Sequence, residues 1–184
     1  MHPWLHFKTI TRHKLLVMHY CFRAGLYKQG LLHDLSKYEP VEFLVGCKYY
    51  QGDRSPNNAE REETGLSKSW LHHKGRNKHH FEYWVDYAPG DEHIINGVPM
   101  PRKYIAEMVM DRISASRNYL GDKYDQHQPL EYFMKSKEKL WFIHPKTKRD
   151  LEGLLRTLND HGEKVLISYI KNVYLKKDKA LERV

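Results

Sequence analysis

Apolar residues recur at intervals of three and four along most of this 184-residue chain, which is the spacing of amphipathic α-helices. In the stretch 4–26, His13 lies on the apolar stripe. The stretch 102–120 has the same periodicity and places Asp111 on its apolar face. We therefore predict an all-α fold in which at least two polar side chains point inward.

Proline and glycine residues divide the rest of the chain into further helices. The stretch 31–50 is predicted to form a second helix with a break or kink at Pro40. Two more helices are expected after Pro129 and after Pro145, and the later one should be divided near Gly162. The expected architecture is a helical bundle.

One segment interrupts the helical pattern and contains the pair Asn96-Gly97, which favours the tight turn of a small β-hairpin. The predicted fold is therefore all-α with at most one such hairpin. A chain of this length can bury a core without disulfides, so residues 1–184 are predicted to form a single domain. We assign Trp70 and Trp141 to its core.

Composition narrows the class of partner. The formal net charge of +8 suits an anionic partner such as a nucleotide, another phosphorylated metabolite or a nucleic acid. Cys21 and Cys47 form no CxxC pair and are read as buried residues of a protein in a reducing cytosol. The sequence contains no apolar run long enough for a signal peptide or a membrane span, so we expect a cytoplasmic protein with no membrane partner.

The inward-facing polar residues need a chemical explanation. An ionised carboxylate on an apolar helix face, as Asp111 is predicted to be, costs several kcal/mol unless a cation compensates it. His13 shares this inward placement, and His33-Asp34 follow the apolar pair Leu31-Leu32. Three segments thus direct potential ligands inward, and imidazole with carboxylate suits Zn, Fe, Mn, Co or Ni.

This order of residues, a helical His13, then LLHDLSK with His33 and Asp34, then a helical Asp111, resembles the HD-domain superfamily of metal-dependent phosphohydrolases. The resemblance implies that these four residues bind a metal within an HD-like core of about residues 4–120, and that helices in 129–184 complete the bundle. Lys37 matches the lysine of the HDxxK form, which can approach a substrate phosphate; its alternative is an ordinary exposed lysine. Ser36 stands where glycine is frequent in that superfamily.

The segment WLHHKGRNKHHFEYW resembles the additional histidines of the two-metal branch of this superfamily, which includes HD-GYP phosphodiesterases and mixed-valent di-iron oxygenases. The resemblance favours His73 and His80 as ligands, with His79 close behind. His72 and His79 can instead orient the ligands or touch substrate, because adjacent helical residues diverge by about a hundred degrees. Taken alone, such a cluster also fits a surface loop that binds zinc without catalytic purpose.

Several polar residues beside the proposed ligands are candidates for substrate contact. Arg76, Asn77 and Arg112 would hold phosphate oxygens together with Lys37. Glu82 can hold a ligand imidazole or transfer a proton, and a surface glutamate is its alternative. A nearby group of aromatic residues can stack on a nucleobase, although their helical spacing favours core packing: Phe81, Tyr83, Trp84 and Tyr87.

The resemblance implies hydrolysis of a phosphate ester, either a monoester or a diester, of a nucleotide or other phosphorylated small molecule through a metal-activated water. The cofactor would be one or two divalent ions of Fe, Mn, Zn, Co or Ni, with Asp34, Lys37 and Glu82 in catalytic roles. One alternative is a di-iron oxygenase of the HD type. The other is a basic nucleic-acid-binding module with structural histidines, which the dispersed Lys and Arg residues disfavour.

Overall fold

The structure, a computed structural model, describes residues 1–88, 90 and 93–176 of the chain. Within this part it confirms the all-α prediction, because α-helices form nearly all of the framework and the only sheet is one two-stranded hairpin. None of these helices is both long and apolar enough to cross a membrane. The helices are α1 Pro3–Arg23, α2 Tyr27–Leu32, α3 Pro40–Tyr49, α4 Pro56–Thr64, α5 Lys68–Arg76, α6 Arg102–Leu120, α7 Gln128–Ser136 and α8 Pro145–Tyr169.

Proline and glycine set many of the helix boundaries. Pro40 and Pro145 occupy the first turns of α3 and α8, where the missing backbone N–H is not needed. Gly65 ends α4 in the left-handed conformation. Gly162 has a φ of 78° within α8, which confirms the predicted division of that helix.

The stretch 31–50 is broken at Pro40, as predicted, because α3 begins there, but residues 33–39 before the break do not form the α-helix that the pattern predicted. Helix α2 ends at Leu32, Asp34 adopts a left-handed φ of 52°, and a short 3₁₀ helix covers Leu35–Tyr38 before α3 begins. Pro40 starts a helix because its fixed φ suits a first turn, while it disfavours helical geometry in the residue before it. His33 and Asp34 therefore lie in a turn between helices.

The small hairpin is confirmed, but its turn was placed wrongly. Strand β1, Val85–Tyr87, pairs in antiparallel fashion with β2, Ile95–Gly97. Asn96 lies opposite Asp86 in the ladder, so the Asn-Gly pair belongs to a strand. Gly97 is required there because a Cβ would collide with the backbone of residues 142–144.

The core lies where α1, α6 and α8 meet, with α7 packed against α6 and α8. Val17, Ile113 and Leu155 are fully buried at this junction. The core assignment of Trp141 was wrong, since 54% of this residue is exposed, and Trp70 is only half-buried. Helices α7 and α8 contribute buried residues to this core, and a π-helical turn over Ile170–Tyr174 follows α8. The predicted continuation over 177–184 lies outside the described residues, and the single-domain assignment stays a prediction.

Candidate metal centre

Three elements bring the predicted ligands of the HD pattern together. Helix α1 supplies His13, α6 supplies Asp111, and the turn after α2 supplies His33 and Asp34. Lys14, beside His13, holds that turn against α1: its Nζ donates hydrogen bonds to the carbonyl oxygens of Leu31 at 2.8 Å and His33 at 2.9 Å. Sequence reasoning missed this lysine, because a cation next to a ligand is indistinguishable from a solvated one until the turn is placed.

The first set of possible ligands consists of His13, His33, Asp34 and Asp111. One nitrogen or oxygen atom from each lies within 4.8 Å of the others, and three of the four residues are fully buried. His13 Nε2 is 3.0 Å from Asp111 Oδ1, and His33 Nε2 is 3.3 Å from Asp34 Oδ2. Such a convergence of two imidazoles and two carboxylates can hold a transition metal ion.

The second set consists of Asp34, His73, His79 and His80, again with one atom from each within 4.8 Å. Asp34 Oδ1 is 3.4 Å from both His73 Nε2 and His79 Nε2. His73 Nε2 lies 2.9 Å from His80 Nε2. All three predicted ligands from the histidine-rich segment therefore point to one place. His79 and His80 both belong to this set, so neither has to be preferred over the other as a ligand.

Asp34 belongs to both sets and divides its two carboxylate oxygens between them. Oδ2 faces His13 and His33, whereas Oδ1 faces His73 and His79. The left-handed backbone at Asp34 places the side chain between the two sets, and aspartate tolerates that conformation better than most residues. This placement allows one carboxylate to serve two neighbouring ions.

Several buried polar atoms that lack hydrogen bonds indicate whether these residues fit a metal. Within the described part of the chain, no hydrogen bond reaches His13 Nε2, His33 Nε2, His79 Nε2 or Asp34 Oδ1. The 3.0 Å approach of His13 to Asp111 does not have hydrogen-bond geometry. Leaving each such atom unsatisfied costs about 1–3 kcal/mol, and coordination to a cation removes that cost. The donor set therefore fits a metal ion.

Glu107 supports ligands of both sets and was missed by the sequence reasoning. Its Oε1 is 3.0 Å from His33 Nδ1 and 3.3 Å from His79 Nδ1. An acceptor at Nδ1 fixes the imidazole tautomer that leaves Nε2 free for a metal. The available signal was spacing, since Glu107 precedes Asp111 by four residues and shares its helix face.

A second buried carboxylate, Glu42 on α3, orients the histidines of α5. Its Oε2 is 2.8 Å from His73 Nδ1 and its Oε1 is 2.7 Å from His72 Nδ1. His72 thus faces away from the ligand atoms, in agreement with an orienting role. Asn77, predicted to bind substrate, is also buried in this layer and donates to Ser36 Oγ and to the His73 carbonyl, both at 2.8 Å.

Electrostatics favour the protonation state that metal binding requires at Asp34 and His80, but not at His33. Burial alone would raise the pKa of Asp34, but the neighbouring His33, Lys37 and His73 outweigh it and hold the pKa well below its ordinary value. Burial, reinforced by His79 and His73, lowers the pKa of His80 and keeps that imidazole neutral. His33 is the exception: burial lowers its pKa, yet the surrounding carboxylates raise it overall, as expected for an imidazole enclosed by anions.

A cleft of about 150 Å³ adjoins both sets. Lys37 enters it with 30% of its side chain exposed, and its Nζ lies 2.6 Å from Asp34 Oδ2. Trp70 forms another wall, stacking on His73 and meeting the edge of His80. The remaining residues that line the cleft are Thr9, Ile10, His13, Ser55, Asn57, Asp111, Ala115, Asn118 and Tyr119.

Besides the buried Asn77, three residues predicted to touch substrate or transfer a proton do not line this cleft. Arg76 has half of its side chain exposed and faces Glu39 at 3.8 Å. Arg112, although adjacent to Asp111, points to α7 and lies over the ring of Phe133. Glu82 is partly buried, burial raises its pKa, and its Oε2 has no hydrogen-bond partner among the described residues. Arg112 directly follows Asp111, and adjacent residues on a helix point about a hundred degrees apart. Arg76 and Glu82 lie two or three residues from the nearest ligand, where α5 ends and a 3₁₀ turn follows, so closeness in sequence did not bring them into the cleft.

Comparison with known proteins gives one match. A family model described as a family of unknown function, DUF5662, matches residues 2–157. No curated protein and no solved structure matches the chain. The matched range includes every residue of both ligand sets.

Proposed function

This chain belongs to DUF5662, a family of unknown function, and we propose that the protein is a metal-dependent phosphohydrolase that resembles the HD-domain superfamily. One observation carries the proposal: a single buried carboxylate, Asp34, is shared by two convergent ligand sets beside a cleft that a lysine enters. The substrate would be a phosphomonoester or phosphodiester. Lys37 supplies the positive charge that a phosphoryl group needs.

Bound metals would act as Lewis acids toward a phosphoryl oxygen and lower the pKa of a coordinated water. The protein's own contribution is to hold the ligand imidazoles rigidly. Glu107 fixes His33 and His79, while Glu42 fixes His73. This arrangement resists reorganisation when charge develops in the transition state.

The hydrolysis consumes one water molecule. The water oxygen forms a new bond to phosphorus, the bond between phosphorus and the ester oxygen breaks, and one water proton ends on the departing alcohol. Lys37 is placed to stabilise the phosphoryl oxygens, and its ion pair with Asp34 holds the ammonium at the inner end of the cleft. The carboxylate of Asp34 also keeps Lys37 protonated, because its charge outweighs burial and raises the pKa of that amine.

The second ligand set supports one other candidate function, oxygen chemistry at a di-iron centre. Three imidazoles and one carboxylate form a nitrogen-rich donor set that iron accepts readily. The two functions differ in the metal that they require and in whether they consume molecular oxygen. Iron at two equivalents with substrate-dependent oxygen consumption would support the oxygenase, whereas turnover under argon with release of inorganic phosphate would support the hydrolase.

The direct test is elemental analysis of protein purified without an affinity tag, followed by phosphatase and phosphodiesterase assays with each candidate metal. Asp34→Asn is the informative variant, because asparagine tolerates the left-handed backbone and removes only the charge. We expect it to lose bound metal and turnover while its circular dichroism stays that of the wild type. Asp122→Ala, on an exposed turn remote in sequence from both ligand sets, is the matched control and should change neither.

Two results would contradict the proposal. One is phosphate release that survives exhaustive chelation. The other is a metal content in Asp34→Asn equal to that of the wild type.

A further inference from the structure

We infer that the substrate is a small polyhydroxylated phosphomonoester, of the size of a pentose phosphate or a shorter polyol phosphate, and not a nucleotide. The inference rests on the proposed phosphohydrolase function and specifies the class of its substrate. The size, charge and lining of the cleft beside the two ligand sets carry it.

The first observation is size. The cleft holds about 150 Å³, whereas sites that enclose drug-sized ligands span about 300–1,000 Å³. A nucleoside monophosphate is comparable in size with such ligands. Its phosphate and sugar would fill the cleft, and the adjoining cavity, which shares Lys37, Asn57 and Tyr119 with it, adds only about 60 Å³ for the base.

The second observation is charge. Among the described residues that line the cleft, Lys37 is the one Lys or Arg side chain, and it is already paired with Asp34. A diphosphate or triphosphate would bring about one or two further negative charges. The adjoining cavity offers Arg54, but that guanidinium is already paired with both carboxylate oxygens of Glu62. The cleft therefore balances the charge of one phosphoryl group, which would contact Lys37 and the metal held by the ligand sets.

The third observation is the neutral hydrogen-bonding wall opposite the ligands. Ser55 and Tyr119 have hydroxyl groups without a hydrogen bond to any other described residue. Asn57 is held in place by a 2.8 Å hydrogen bond between Ser69 Oγ and its own Oδ1. Hydroxyls and amides both donate and accept, which is what a polyol needs. The polar residues of this wall are Thr9, Ser55, Asn57, Asn118 and Tyr119.

The fourth observation concerns base stacking. The Trp70 ring lies against the imidazoles of His73 and His80, with centroid distances of 5.6 and 4.8 Å, and so packs on the ligands. The aromatic residues that the sequence offered for a nucleobase lie elsewhere: Phe81 and Trp84 pack against the core. The described residues therefore provide a hydroxyl-binding wall in preference to a stacking platform.

Two matched pairs of substrates test the inference with the metal-loaded protein. Ribose 5-phosphate and AMP share the phosphorylated ribose and differ in the base. Glycerol 3-phosphate and propyl phosphate share a three-carbon chain and differ in the hydroxyls. We expect kcat/KM to be at least about tenfold higher for the first member of each pair. The base of AMP exceeds the space of the cleft, and a site built to bind hydroxyls discriminates against propyl phosphate, which lacks them. p-Nitrophenyl phosphate, with its activated leaving group, reports hydrolysis independently of these contacts.

Variants of the wall provide a second measurement. Asn57→Leu and Tyr119→Phe should each raise KM for glycerol 3-phosphate about tenfold and leave KM for propyl phosphate within about twofold, since only the former uses the lost group. AMP turnover equal to or faster than that of ribose 5-phosphate would overturn this inference while leaving the phosphohydrolase intact. Failure to hydrolyse any ester, p-nitrophenyl phosphate included, would overturn both.

Discussion

Glu107→Gln should weaken metal binding at both ligand sets at once. One oxygen of this carboxylate lies 3.0 Å from His33 Nδ1 and 3.3 Å from His79 Nδ1, and these imidazoles belong to different sets. A glutamine keeps the shape of the side chain but removes the charge. Its amide oxygen can take the place of the shared carboxylate oxygen, but it carries no charge and is therefore a weaker acceptor for both imidazoles.

The magnitude follows from the two contacts. Loss of one such supporting group typically lowers metal affinity about 10- to 100-fold, which corresponds to about 1.4–2.7 kcal/mol per site. Because Glu107 supports one ligand in each set, the loss should appear twice. Glu42→Gln is the matched control: its carboxylate contacts His73 and His72 and, within the described part of the chain, no ligand exclusive to the first set.

The assay is competition with a chelator at a fixed free-metal concentration, followed by measurement of metal per chain. At a concentration where the wild type retains both ions, Glu42→Gln should retain about one and Glu107→Gln less than one. Circular dichroism verifies that each variant is folded. Loss of a single ion from Glu107→Gln, as in the control, or an affinity within about twofold of wild type, would refute the reasoning.

Two further predictions concern stability. Burial, with a smaller effect of Lys37, lowers the pKa of His6 to about 4 from 6.5, so the neutral form is favoured in the folded state. This stabilisation is complete above pH 6.5 and is lost as pH falls toward 4. Between pH 7 and pH 5 the free energy of unfolding of the wild type should therefore fall by about 2 kcal/mol relative to that of His6→Gln, as measured by urea unfolding. The same pH dependence in both proteins would contradict this prediction. Gly46→Ala should lower the free energy of unfolding by about 1–3 kcal/mol, because its Cβ would overlap the His6 ring. Gly153→Ala, in open space on α8, should raise it by about 0.5–1 kcal/mol. Equal melting temperatures of the two variants would contradict this contrast.

The apolar periodicity of the sequence was sufficient to predict the helices that have one buried face. The stretch 102–120 has the predicted bounds, and the division of α8 at Gly162 followed from a glycine in an otherwise continuous pattern. Local sequence determines these features because the apolar spacing and backbone preferences act over a few residues. At 31–50 the break at Pro40 was predicted in the same way, whereas the end of α2 at Leu32 and the turn at His33-Asp34 were not.

The ligand types were also readable in the sequence, since a histidine or carboxylate on an apolar face signals a buried charge that needs compensation. Their supporting residues were not. Glu107 and Glu42 are recognisable only once His33, His79 and His73 lie beside them. Conversely, Arg112 adjoins a ligand in the sequence and Arg76 lies three residues from one, but neither side chain lines the cleft.

The sequence by itself determined which segments are helical and which residue types face inward, because those properties depend on neighbours three or four positions away. Only the tertiary structure decided that Asp34 stands between two groups of ligands and that a small polar cleft opens beside it. Both facts depend on where α1, α5 and α6 cross. The packing of the whole core fixes those crossings, and no single segment encodes them.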